Sequence, residues 1–243
     1  MENAIAVGLS SQMVLIRSLD IVANNVANQS TTGFKAEQAT FNDYVSRVNG
    51  ETAGDNTVSL VHDNGSYTDF SAGGVDQTGA SLDFSIDGDG FFALETENGI
   101  RFSRDGKFSL NEFGELTNRN GALVLDDGNS PILIDRDAGP LLASDDGGLQ
   151  QDGVVIAQLG VFDVANRNGL KREGENLFST NEDPSLVENI KVRQGFVERS
   201  NVNPLASVTQ MIEIMRAYEG ASRLVETSND LARDAVRTLT RDA

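Results

Sequence analysis

"IVANNVANQSTTGFKAE", residues 21–37, ends a long apolar-periodic segment with three amides, Asn24, Asn25 and Asn28, and then turns through Thr31, Thr32 and Gly33 to Phe34 and Lys35. Upstream, Ile5, Leu9, Ile16, Leu19, Ala23 and Val26 alternate at spacings of four and three, with Gln12 as the one break. Leu15 and Val22 widen the stripe. The pattern predicts a helix over residues 3–28, ~39 Å long, close to a heptad seam. Gly33 is read as the helix-ending residue because glycine tolerates positive φ.

The other terminus mirrors the first. Asn203-Pro204 is a start signal, Asn as N-cap and Pro as first helical residue. Val208, Met211, Met215, Tyr218, Val225, Ala232, Val236 and Leu239 then follow a heptad that Ser222 and Asn229 interrupt. Ile212, Leu224 and Leu231 broaden it, and Arg216, Glu219, Arg223 and Glu226 alternate in sign on other faces. This predicts a helix over 204–240, ~55 Å long. Between the helices turn signals recur, among them Asp89-Gly90, Asn98-Gly99, Asp105-Gly106 and Asn120-Gly121. Short β-prone runs such as "FFALE" and "VVIAQLGVFDV" separate them. That predicts a mostly antiparallel β domain. Residues 46–80 are poor in large apolar side chains and read as an extended connector, with marginal strands around "TVSLVHD" and "SYTDF".

The expected fold class is α+β: long N- and C-terminal helices packing together as a coiled-coil-like stem, with a central antiparallel β domain. The expected divisions are 1–40 (N-terminal helix and turn), 41–80 (connector), 81–190 (β domain) and 191–243 (return segment and C-terminal helix). Two arrangements bury the apolar stripes equally well: a helical hairpin within the chain, or a polymerisation stem made by many copies.

Composition narrows the function. The chain has 243 residues, no cysteine and a net charge of -18. A basic face for nucleic acid is therefore excluded, and so are disulfides and thiolate chemistry. Residues 41–189 hold 27 acids and nine bases, whereas residues 1–40 carry three and two, and residues 190–243 seven and eight. The ends are electrically balanced and suited to packing on copies of themselves; the middle prefers water. No run of ~18 apolar residues is present, so no membrane insertion is expected, and the start lacks the pattern of a cleaved signal.

No catalytic constellation stands out. The only histidine, His62, lies in "VHDNG" and reads as a solvated loop residue. Asp126-Asp127 and Asp145-Asp146 adjoin glycines as exposed turns do. "SIDGDG", residues 85–90, fails as an EF-hand, because Ser85 and Thr96 would occupy the two essential carboxylate positions; a tight turn explains it. No cofactor and no metal are expected.

The amides belong to a larger pattern. Ala23-Asn24-Asn25-Val26-Ala27-Asn28 with Thr31-Thr32-Gly33-Phe34-Lys35 resembles the N-terminal signature of bacterial flagellar axial proteins, the rod and hook subunits. "TGASLDFSIDGDGFF" (78–92) and "FSRDGKFSLNEFGELTNRNG" (102–121) resemble the blocks that open that family's β domain. Gln194-Gly195, Glu198, Ser200-Asn201-Val202, Met211-Ile212 and Arg216-Ala217-Tyr218-Glu219 resemble its C-terminal signature. The length and the opening "MENAIAVGLSSQM" are most similar to the proximal-rod branch, with the distal-rod branch next; Ser30 and Ala206-Ser207 depart from the pattern.

The resemblance implies a non-enzymatic rod subunit in the basal body, crossing the periplasm and transmitting torque. It implies export by the flagellar type III apparatus, and other rod subunits and further copies of itself as partners. It also implies an assembly interface. Asn24, Asn25 and Asn28 would set register between subunits, Gly33 and Phe34 would anchor the turn, and Asn201 and Val202 would mark re-entry of the chain. Met211, Ile212, Met215 and Tyr218 would be packing contacts. A different class, a secreted acidic oligomeric module binding calcium through Asp/Gly turns, remains as the alternative.

Overall fold

The computed structural model describes residues 2–47, 57–187 and 190–241. They form two compact units, one of residues 1–27, 37–69 and 203–243, the other of residues 28–36 and 70–202.

The first unit holds helix α1 (Glu2–Ala27), strands β1 (Glu37–Arg47) and β2 (Thr57–Thr68), and helix α2 (Pro204–Arg241). β1 and β2 pair antiparallel from Glu37 opposite Thr68 to Arg47 opposite Thr57, with an irregularity between Ala39 and Phe41. A paired ribbon thus stands where the sequence suggests a marginal connector: hydrogen bonding along a long register supplies the order that apolar side chains do not. His62 lies in β2 opposite Asn42, within the marginal strand expected around "TVSLVHD". α2 starts as its sequence indicates, the Ala206 N–H donating to Asn203 Oδ1 (3.2 Å).

α1 packs on α2 and on both strands, but by a seam one residue away from the most apolar heptad. The covered positions on α1 include Gly8, Ser11, Leu15, Ser18, Val22 and Asn25; on α2 the half-buried ones include Ser207, Met211, Ile214, Ala221, Val225 and Ser228. Both sets recur at spacings of three, four or seven, as a packed helical face requires. At Gly8 the helices approach closely, since a Cβ there would lie 2.4 Å from Val225 Cγ2. With Gly8 against Val225 and the covered face of α2 running down to Ser207, the helices are antiparallel. The seam favours small residues because they let the backbones close in.

The consequence is an uncovered second stripe. Leu9 (49% exposed), Met13 (73%) and Ile16 (44%) on α1 are left exposed, as are Leu205 (79%), Val208, Ile212 and Met215 on α2. The expected seam positions Leu9, Ile16, Val208 and Met215 are therefore surface residues. The side chains of Ala232, Val236 and Leu239 lie outside the described ones. Within Ile5–Ala27 an 18-residue stretch of α1 reaches a mean hydropathy of 1.5, so the helix is long and apolar enough by length and composition to cross a membrane. Counting uninterrupted apolar runs missed this because Ser, Gln, Arg17 and Asp20 are spread singly among apolar residues.

The second unit is antiparallel β. In chain order it has β3 (Val75–Gln77), β4 (Phe84–Ile86), β5 (Phe91–Thr96), β6 (Gly99–Ser103), β7 (Ser109–Leu110), β8 (Leu116–Thr117), β9 (Leu123–Val124), β10 (Leu142–Ala143), β11 (Gly148–Gln151), β12 (Val154–Gln158) and β13 (Val161–Asp163). After the short 3-10 turn at Arg167–Gly169 come β14 (Lys171–Arg172), β15 (Phe178–Ser179), β16 (Ser185–Leu186), β17 (Val192–Gln194) and β18 (Phe196–Glu198).

The largest sheet runs β14-β15-β6-β5-β9-β8-β7. β5 is buried on both faces, which is why "FFAL" is a continuous apolar run rather than an alternating one. Phe92 and Leu94 enter one core with Phe84, Leu116, Leu149 and Val161. Phe91 and Ala93 enter another with Phe102, Phe162 and Phe178, where Phe70 meets Phe91 edge-on with centroids 5.4 Å apart. The returning strands close the unit, β17 on β4 and β18 on β3. The Asp/Gly turn at 87–90 links β4 to β5, with Gly88 and Gly90 both at φ +117; its acids meet cations, Asp87 with Arg193 (2.6 Å) and Asp89 with Arg167 (2.9 Å).

Candidate functional site: the signature turn and the helix faces

α1 ends at Ala27, so Gly33 does not cap it. Gly33 instead sits at φ +65 in a turn packed against the β unit, where a Cβ would meet Asp105 N at 2.2 Å and the Arg104 carbonyl carbon at 2.3 Å. Only glycine allows both that backbone conformation and that approach. Its N–H donates to Glu198 O (2.8 Å), and the Asn201 N–H reaches Phe34 O (3.4 Å). The Ala36 N–H donates to Asn201 Oδ1 (2.7 Å), and Asn201 Nδ2 donates to Ser71 O and Oγ (3.2 and 3.1 Å). Residues 33–36 and 198–201 are thus tied side by side.

Phe34 is 2% exposed, under the Arg172 guanidinium (4.6 Å to the ring centroid), which also lies 5.1 Å from the Phe178 ring and donates to Lys35 O. Thr32 is gripped from two sides: its hydroxyl donates to Asp105 Oδ1 (2.6 Å), and its carbonyl accepts from Asn176 Nδ2 (3.0 Å). Burial raises the Asp105 pKa above its ordinary value, while the Thr32 hydroxyl and the Lys107 N–H oppose that rise.

At the centre is a buried charge cluster. Lys35, Glu198 and Arg104 are 1%, 3% and 6% exposed. Lys35 Nζ donates to Glu198 Oε1 (2.6 Å) and Ser71 O (2.7 Å), and Gly73 N–H also donates to Glu198 Oε1 (2.9 Å). Arg104 Nη1 reaches Glu198 Oε2 (3.4 Å) and Nη2 donates to Gly88 O (2.8 Å). Burial lowers the Arg104 pKa and Glu198 opposes it. One carboxylate therefore joins the signature turn, the 71–73 segment, the β5–β6 hairpin region and the returning strand.

Of the amides, Asn25 is buried and bonds the backbone of Glu37 in both directions, Nδ2 to Glu37 O (2.8 Å) and Glu37 N–H to Oδ1 (2.9 Å). It mimics a strand partner at the start of β1. Asn24 is exposed and Asn28 half-buried, the latter accepting from the Thr31 hydroxyl at 3.2 Å. Val202 is buried, Met211 half-buried, and Ile212, Met215 and Tyr218 exposed. The turn residues Gly33, Phe34 and Asn201 come together; Met211, Met215 and Tyr218 follow one another along one face of α2, with Ile212 turned about 100° away. Sequence reasoning missed Lys35, Arg104, Glu198 and Arg172 as a group. The available signal was a lone lysine in an apolar-polar turn and a lone glutamate in "GFVER". Among the described residues, no group of three or more His, Asp or Glu could hold a metal ion.

Comparison with known proteins matches three stretches of the chain. Residues 5–35 match the flagella basal body rod protein family, residues 85–157 the D1 domain of the flagellar hook protein FlgE/F/G family, and residues 193–238 the C-terminal domain of flagellar basal body rod FlgEFG proteins. The class is thus a structural protein of the flagellar axis. The flagellar basal-body rod protein FlgF of Caulobacter vibrioides is 39% identical over 98% of both chains, and that of Mesorhizobium japonicum 36% over 98% of both. FlgG of Bacillus subtilis is 31% identical over 94% of this chain and 96% of its own. The chain belongs to the flagellar basal-body rod protein family and is most like its FlgF members.

Proposed function

We propose that this chain is a subunit of the proximal rod, polymerising through its terminal helices into part of the shaft that carries motor torque across the periplasm. Its partners are copies of itself and other proximal and distal rod subunits, and it leaves the cell through the flagellar type III export apparatus. One observation carries the reading. The antiparallel helix pair uses its small-residue seam internally and leaves Leu9, Met13, Ile16, Leu205, Val208, Ile212 and Met215 uncovered, each between 42% and 79% exposed. Full burial of such side chains stabilises by ~1.5–3 kcal/mol each, so covering the exposed part is worth on the order of 5–10 kcal/mol per subunit before the costs of association. Lipid could cover the same apolar surface, but Arg17, Asp20 and Asn24 are exposed along α1 and suit a partly polar protein neighbour. The antiparallel pair and a neighbour's helices together would make the coiled-coil-like stem, with Asn24 and Asn28 contributing to register between subunits.

The test is replacement of Val208 and Met215 by Ser, and separately Asn24→Leu, in the flagellated source bacterium. Both variants should keep the melting temperature of the purified chain, yet give few complete rods and poor swimming. Mass spectrometry of purified basal bodies should find the wild-type chain at low, fixed stoichiometry with the rod. Normal rods in the Val208/Met215 variant, or intact rods lacking this chain, would overturn the proposal. A calcium-dependent rise in melting temperature would favour the secreted acidic module instead.

A further inference from the structure

The β unit carries an apolar surface that its acidic composition does not lead one to expect. A groove of about 450 Å³ is lined by Phe113, Leu133, Ile134 and Ile156, with Glu112 and Asp135 beside them. Phe113 is 80% exposed and Leu133 62%. These side chains are held in place by their backbones. Asn111 Oδ1 accepts from the N–H groups of Phe113 and Glu115 (both 3.0 Å), and its Nδ2 donates to Glu115 Oε2 (2.7 Å). The Ile134 N–H donates to Gly114 O (2.8 Å), fastening the Phe113 turn to the Leu133 segment. Gly114 sits at φ +82 with no room for a side chain, since a Cβ would lie 2.7 Å from Ile134 O. β12 is the outer strand of its sheet. It bulges at Ile156, between the Val155–Gln150 and Ala157–Leu149 pairs. A bulge on an edge strand hinders addition of another strand, so recognition here falls to side chains. An exposed aromatic presented on an ordered backbone beside two aliphatic residues is partly pre-organised to bind, because little backbone entropy remains to be lost.

Charge selects the occupant. Arg136, the one cation lining the groove, donates to the carbonyls of Leu110 and Asn111. The carboxylates of Glu112 and Asp135 flank the apolar floor, within a segment of 27 acids and nine bases. Another copy's β unit is also acidic, with 23 acids and 12 bases over residues 28–36 and 70–202, and is repelled. We propose that this groove docks a protein segment that inserts one or two large apolar side chains and flanks them with Lys or Arg. The proposal is independent of the rod reading, since it concerns a different unit and a different surface.

The test is fluorescence anisotropy with the full chain and dye-labelled peptides KKLFLKK, EELFLEE and KKSNSKK. KKLFLKK should bind at least tenfold tighter than either control and weaken as salt is raised. Replacing Phe113 and Leu133 by Ser, at exposed positions that leave the cores intact, should abolish that preference. Glu112→Gln with Asp135→Asn should retain apolar selectivity while flattening the salt dependence. Equal binding of KKLFLKK and KKSNSKK would overturn the proposal, as would unchanged binding in the Phe113/Leu133 variant. Self-association of the wild type that vanishes in that variant would also overturn it, by making a second copy the occupant.

Discussion

Glu198→Gln is the substitution that most directly tests how the signature turn is held. In the wild type one carboxylate, 3% exposed, answers two buried cations, Lys35 at 2.6 Å and Arg104 at 3.4 Å. The amide is nearly isosteric and can still accept from the Gly73 N–H, so packing is kept and only the charge is lost. Two buried cations then lose the carboxylate they share, while Lys35 keeps its bond to Ser71 O and Arg104 its bond to Gly88 O. Breaking a buried ion pair by removing one partner costs about 3–5 kcal/mol, and a loss within that range is expected. For a chain of this size that corresponds to a fall in melting temperature of roughly 6–20 °C. Lys35→Met should cost less, because Glu198 keeps Arg104 and the Gly73 N–H. The two changes together should be less damaging than their sum by on the order of 1–3 kcal/mol, as expected for residues in one network. Calorimetry of the full chain gives the totals. Hydrogen exchange then locates the loss, which should fall on peptides covering residues 32–36, 70–74 and 196–201. A Glu198→Gln protein melting within 2 °C of wild type, or strict additivity of the two substitutions, would refute the view that this cluster holds the signature turn within the β unit.

Three further substitutions probe separate parts of the structure. Gly8→Ala should lower helix stability by up to about 2 kcal/mol, since overpacking against Val225 (about 1–3 kcal/mol) exceeds the ~1 kcal/mol gain in helix propensity; adding Val225→Ala should relieve the overpacking, as circular dichroism melts of single and double variants would show. Asn25→Ala should leave both backbone groups of Glu37 without their partner, cost about 1–3 kcal/mol and speed hydrogen exchange at residues 37–41; unchanged exchange there would remove Asn25 from the anchoring of β1. For Asp105 the folded pKa lies above the unfolded one. Its contribution is therefore fully present below the ordinary aspartate pKa and is lost as pH rises through the raised folded value. Asp105→Asn, which can still accept from Thr32, should gain on wild type as pH rises across that window, and a parallel pH profile for the two proteins would contradict the burial argument.

How much of this was legible in the sequence depends on whether a feature is local. The terminal helices, the Asn203-Pro204 start and the Asp/Gly turns each reside in a few consecutive residues, and periodicity or turn chemistry reveals them. Of the β1–β2 ribbon, β2 showed as marginal strands around "TVSLVHD" and "SYTDF", but β1 and the pairing were hidden because they rest on a register between two polar strands, a non-local property that apolar composition does not report. The seam of α1 was misplaced by one residue for a more instructive reason. Hydrophobic periodicity finds the most apolar heptad, here the one through Leu9 and Ile16, and assumes that the chain uses it. The chain packs instead through Gly8, Ser11 and Ser18, because small residues allow close approach of two backbones, and the larger apolar side chains stay outside.

That same division separates two roles of the signature stretch. Three amides followed by Thr-Thr-Gly-Phe-Lys suggest one interface serving one purpose. The geometry assigns Asn25 to Glu37 in the helical unit, and Thr32 to Lys35 to partners in the β unit. Asn24 alone of the three amides is exposed. The conspicuous polarity of the stretch is thus spent largely within the chain, fixing where β1 begins and how the turn docks. The apolar residues that periodicity would have buried are among those left uncovered. On the proposed rod reading, satisfying the polar groups internally and leaving the apolar stripe open would give folding and assembly separate surfaces.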